Sequence, residues 1–269
     1  MSATTASRSA PAHGRLILVA VGLLVVVLVA GLVYAIRAAI RSGAGTATAT
    51  DRGGLQVTGT DVNPQLRRDA LAAAPMPALP PSAALPHSLL PRASGRAITF
   101  PASIDQRGLV PTGFPRTTAG ALAQFAAIDA AALEGFNPSQ VIQVYGDWSL
   151  PGAEPVALWS VSQLVNQTLG ASGIPNGAST LRATFTVSEA QVKGVLDDGD
   201  FVLACVNGEL DISYLEQTTR TGAADCARMV WSDGRWQIGP GSQPAVPASA
   251  WPGTAEAAQV GWKPVHHAT

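Results

Sequence analysis

The chain has 269 residues, enough for one or two domains, and is apolar-rich and sparsely charged: 47 % hydrophobic, 13 % Asp, Glu, Lys and Arg, formal net charge −1. A near-neutral balance without basic clusters excludes an electropositive nucleic-acid-binding face. Abundant Ala, Gly and Pro, with Lys only at Lys193 and Lys263, is the bias of a high-GC bacterial genome.

Residues 1–15 read as a short cytoplasmic tail carrying Arg8 and Arg15. Leu16–Ile36 (LILVAVGLLVVVLVAGLVYAI) has no charge. At about 1.5 Å per residue it spans about 30 Å, the hydrocarbon thickness of a bilayer. It exceeds the apolar core of a signal peptide and no A-x-A site follows, so it is expected to be an uncleaved single-pass anchor. Arg37 and Arg41 follow it, so the flanking charges leave orientation nearly balanced. The tail is too short to fold, and the only two cysteines, Cys205 and Cys226, lie in the C-terminal part. Both features favour an extracytoplasmic C-terminal domain at the cell membrane.

Residues 37–112 are expected to be a flexible stalk and then a Pro-rich extended linker. Ten of the twenty prolines fall between Pro64 and Pro115, which argues against helices and central strands. Ile98–Phe100 offers a short edge strand.

Residues 113–240 form the expected folded domain. Thr117 or Thr118 caps an Ala-rich helix that Gly135 ends, with Leu122, Phe125, Ile128, Ala132 and Phe136 on one stripe. A second helix follows Asn137-Pro138. Pro155–Leu169 supplies a third, broken by Gly170–Gly177. From Leu181 the period changes to two: Leu181, Ala183, Phe185 and Val187 face one way. Asp197–Asp200 is a turn, Phe201–Val206 a strand, and Asn207-Gly208 a hairpin signal. Ser232-Asp233-Gly234 signals another hairpin. Helices followed by an antiparallel meander give an α+β class, with helices packed on a curved antiparallel sheet. Residues 241–269 are a Pro/Gly-rich tail whose Trp251 and Trp262 are expected to dock onto the domain.

Catalytic chemistry is scarce. The four histidines are His13, His87, His266 and His267, all outside Thr117–Trp262, so a Ser-His-acid or Cys-His system has no imidazole. No zinc-protease, nucleophile-elbow or phosphate-loop motif is present. His266-His267 reads as a frayed tail and Asp197-Asp198-Gly199-Asp200 as a solvated turn without EF-hand spacing. Cys205 and Cys226 are expected to form a structural disulfide, two buried thiols being the alternative. Asp129, at the edge of the helical stripe, could act as a base with Tyr145, Asp147 and Trp148 around it. A possible pocket between helices and sheet would be lined by Phe125, Asp129, Tyr145, Trp159 and Trp236. No cofactor and no metal are expected.

One membrane helix, a linker, then helices and a curved antiparallel sheet resemble the VirB-eight-like and TcpC-like assembly proteins of conjugative type IV secretion. Gly113–Leu133 (GFPRTTAGALAQFAAIDAAAL) and Cys226–Trp262, with CARMVWSDGRWQIGPG, Trp251-Pro252-Gly253 and Gly261-Trp262, are similar to proteins encoded beside conjugation genes in actinobacterial integrative elements. The resemblance implies an NTF-two-like (cystatin-related) domain and a non-enzymatic scaffold. Such a scaffold self-associates, contacts other channel components, sits on the bilayer and makes no direct contact with nucleic acid. The long Pro-rich segment departs from those families. The alternative reading is an extracytoplasmic domain that binds a small apolar ligand.

Overall fold

The structure, a computed structural model, describes residues 63–90 and 95–268. The tail at 1–15, the apolar segment at 16–36 and the stalk to residue 62 lie outside them. Among the described residues no helix is long and apolar enough to cross a membrane.

The fold is α+β. Among the described residues five α-helices, α1 (Pro64–Ala73), α2 (Thr118–Leu133), α3 (Pro138–Trp148), α4 (Ser160–Ser172) and α5 (Ala255–Gln259), accompany eight strands. These are β1 (Ile98–Phe100), β2 (Asp105–Arg107), β3 (Val110–Thr112), β4 (Arg182–Leu196), β5 (Phe201–Tyr214), β6 (Gln217–Ser232), β7 (Arg235–Ile238) and β8 (Lys263–His267). A six-stranded sheet runs β1-β8-β4-β5-β6-β7, and β2 and β3 form a separate hairpin. The long β4–β5–β6 meander is antiparallel, and only β1 and β8 pair in parallel. Two bulges in β4, at Val187/Glu189 and Val192/Gly194, curl the sheet.

Local signals set the helices. The Thr117 hydroxyl accepts the Gly120 N–H and caps α2, and Gly135 turns the chain out at φ 68°. Asn137 caps α3 through the Ser139 N–H, with Pro138 in the first turn. The single stripe expected of α2 is instead burial nearly all round, twelve of its sixteen residues. The helix lies in the concave face of the sheet, against α3 and the β2–β3 hairpin. Its alanines let those backbones approach.

Strand alternation divides β5 between two environments. Val202, Ala204 and Val206 face the helices, whereas Phe201, Leu203 and Cys205 face outward. The outer face is nevertheless covered. Ala72 and Leu71 of α1 pack on Phe201 and Leu203, while Leu79, Ala83, Ala248, Ala250, Ala257 and Trp262 pack around Cys205 and Cys226. Residues 64–90 and 239–262 thus form a two-part strap across the back of the sheet.

Several expectations change here. The segment expected to be an extended linker carries a ten-residue helix and strands β1–β3. Pro64 opens α1 where its missing N–H is harmless, Asn63 caps it, and the next proline is Pro75. Residues 241–269 likewise include α5 and β8 instead of a plain tail. His266 and His267, expected to fray, pair with Thr99 and Phe100. Asn207-Gly208 is no turn but the middle of β5, opposite Ala223 and Ala224. The hairpin closes at Leu215-Glu216, where Leu215 takes φ 56°. Trp251 and Trp262 dock as expected and are buried, and Ser232-Asp233-Gly234 does close β6 onto β7.

Candidate functional site

The helix–sheet interior contains two carboxyl groups. Asp129 comes from the middle of α2 and is 1 % exposed; Asp225 comes from the concave-facing row of β6, in register with Val206. Asp225 Oδ2 accepts the Trp159 indole N–H at 3.1 Å, and Oδ1 accepts the Cys226 N–H at 2.7 Å. Burial pushes the Asp225 pKa up to about 6, against the adjacent Ser160 hydroxyl and those two donors. Asp129 Oδ1 is buried without a hydrogen-bond partner. Burial first, then the charge of Asp225, raise its pKa well above the ordinary value. A carboxyl so placed is held as the neutral acid.

Tyr145 packs on Trp159 with ring centroids 4.9 Å apart, and its hydroxyl donates to the Glu154 carbonyl at 2.6 Å. Burial, Glu154 and Asp225 push its pKa to about 12. Asp129, Tyr145 and Trp159 therefore share one neighbourhood around Asp225. Phe125 lies one turn before Asp129 and is fully buried. Trp236 stands apart: its indole donates to the Pro115 carbonyl at 2.9 Å and its ring meets Trp231 edge-on. Trp148 is buried, but Asp147 is exposed and does not join the cluster.

These side chains fill the space between helices and sheet. Two clefts on the molecule, one behind the sheet and one beside Arg228, are lined by other residues than Phe125, Asp129, Tyr145 and Trp236, and these four are each at most 4 % exposed. Trp159 borders only a crevice of about 10 Å³ beside Arg228 and Gly239, too small for an organic ligand. Asp129 itself is 1 % exposed.

Cys205 and Cys226 are joined directly across β5 and β6, Cα atoms 4.1 Å apart, beneath the strap on the opposite face. Asp197 meets Arg68 at 2.6 Å and Asp200 meets Arg116, so arginines answer the acidic turn. No group of three metal-ligating side chains occurs among the described residues.

Asp225, Ser160, Glu189 and Arg228 were not singled out from the sequence, and Asn207 was read only as a turn residue. A signal for Asp225 existed: alternation on a strand whose Cys226 faces one side sends its neighbour to the other. The partners of Arg228 carried no local signal, because Asp69 is 159 residues away.

Compared with known proteins, the chain matches no family model, no curated protein and no solved structure.

Proposed function

We propose that the chain is a single-pass, membrane-anchored, non-catalytic scaffold of a conjugative DNA-transfer apparatus of the type IV secretion kind, with an NTF-two-like domain held outside the cytoplasm. The observation that carries this reading is the filled helix–sheet interior. With Phe125, Asp129, Tyr145 and Trp159 sealed in the core, recognition falls to the outer surface. That surface offers exposed apolar side chains: Leu109 in the β2–β3 turn, Ile104 at the opposite, open end of that hairpin, where its N–H meets the Thr112 carbonyl, and Leu215 at the tip of the β5–β6 hairpin. The uncharged run Leu16–Ile36 supplies the tether, and the disulfide suits an oxidising compartment. The alternative, an apolar ligand held within the helix–sheet cone, would need space among Phe125, Asp129, Tyr145 and Trp159, which pack there at no more than 4 % exposure.

The test is genetic. Deletion of the gene from the conjugative element should abolish transfer, and the intact gene should restore it. The Ile104→Asp/Leu109→Asp double variant, present at normal membrane level, should restore transfer poorly. Undiminished transfer by the deletion strain would remove the reading.

A further inference from the structure

A cleft of about 240 Å³ opens behind the sheet, between the first bulge of β4 and the turn that leads into α5. A single water needs only about 10–15 Å³ of such space, so the cleft has room for a small organic group. Leu90, Pro252, Trp262 and Pro264 give it apolar walls. Three polar side chains line it, and one of them, Thr254, has its hydroxyl engaged, donating to the Trp251 carbonyl and accepting the Ala257 N–H. The second is the hydroxyl of Ser188, buried without a hydrogen-bond partner. The third is Glu189, whose residue is 5 % exposed.

Glu189 has its two oxygens held apart by different donors. Oε1 accepts the Gly253 N–H at 3.0 Å and Oε2 accepts Asn207 Nδ2 at 2.8 Å. Among the described residues it has no cationic partner. Lys193, on the same strand, donates to the carbonyls of Ala72 and Ala74 instead. A carboxylate buried without a counter-ion is costly, and an arriving cation relieves that cost.

We propose that this cleft binds a primary alkylammonium group, the ammonium donating to Glu189 and to Ser188 and the apolar stem lying against Trp262 and Leu90. The shape of the donor set decides between cations. A guanidinium is planar and pairs best with the free edge of a carboxylate, but each Glu189 oxygen already holds a donor. An ammonium directs three separate donors and can take one lone pair from each acceptor. A hard metal ion needs six or more oxygens, and the remaining walls are apolar.

The group can belong to a free amine or to a lysine side chain, and titration separates them. The full-length chain, labelled with 15N-tryptophan and held in neutral detergent micelles, would be titrated with n-butylammonium chloride. Sodium chloride and n-butanol serve as controls. The Trp262 indole resonance is assigned with Trp262→Phe. We expect a saturable shift with n-butylammonium and none with butanol. Ser188→Ala should weaken binding about tenfold, the value of one hydrogen bond to a charged group, and keeps the fold because its hydroxyl bonds nothing. Glu189→Gln should abolish binding. Saturation also by a lysine-containing tetrapeptide with blocked ends would extend the site to side chains; saturation by n-butylammonium alone would confine it to free amines. No saturable shift with either probe, or unchanged affinity in both variants, overturns the proposal.

Discussion

Asp129 is a carboxyl group that the fold keeps without a hydrogen bond, and its cost depends on pH. Asp129 and Asp225 both have pKa values raised by burial above the ordinary 3.8. The folded state therefore holds protons that the unfolded state releases. The stability they confer is complete below about pH 4 and is lost as pH rises, through about 6 for Asp225, with Asp129 likewise raised by its burial. Asp129→Asn keeps the shape and removes the titration. Its urea midpoint should fall less between about pH 5 and pH 8 than that of the parent chain; an equal fall would show that Asp129 ionises freely in the native core. At Cys205 and Cys226 the disulfide closes a loop with sequence separation 21. Replacing both cysteines by alanine should cost about 3 kcal/mol in denaturant unfolding. Because both residues are buried, dithiothreitol should leave the bond intact until denaturant loosens the strap.

At the level of elements, what could be read in advance was whatever is written locally. Thr117, Gly135 and Asn137 announce helix ends through caps. Leu181 to Val187 announce a strand through alternation, and Ser232-Asp233-Gly234 a turn. Asn207-Gly208 misleads because its tertiary role overrides its turn propensity. The Asn207 amide spans to Glu189 and Ala250, and Gly208 lets β4 pass, since a Cβ there would overlap the Thr186 carbonyl. The true turn at Leu215-Glu216 has no glycine and follows from the register of β5 on β6. Gly222 plays the same part for the strap: a Cβ would overlap the Ala250 carbonyl. Gly222→Ala should destabilise the domain by about 1–3 kcal/mol, as overpacking does, and speed amide exchange at Trp251. Wild-type exchange there would show that the strap does not rest on β6.

Across the whole molecule, the strap joins both ends of the described chain to the back of the sheet. Arg228, 3 % exposed, reaches Asp69 of α1 at 2.6 Å and the Ser242 carbonyl at 2.8 Å, so one side chain clasps both halves. Trp262 closes the layer, its indole donating to the Ala248 carbonyl at 3.0 Å. The docking of Trp262 was legible from its size in a Pro/Gly-rich tail, but the clasp of Arg228 on both halves was not, because such segments reveal their structure only through distant partners. Trp262→Ala should cost about 3–5 kcal/mol, the penalty for emptying a core site, whereas a free tail would show almost none. On the proposed reading, a strapped back and a packed front leave hairpin tips and rims as the surface that meets other proteins. That places the central claim on partners. The most direct measurement is affinity purification of the full-length chain from detergent-solubilised native membranes, with the partners identified by mass spectrometry. Recovery of conjugation ATPases or channel subunits, reduced by Ile104→Asp/Leu109→Asp, is the result expected of a scaffold. Recovery of the chain alone, as a monomer, would contradict it.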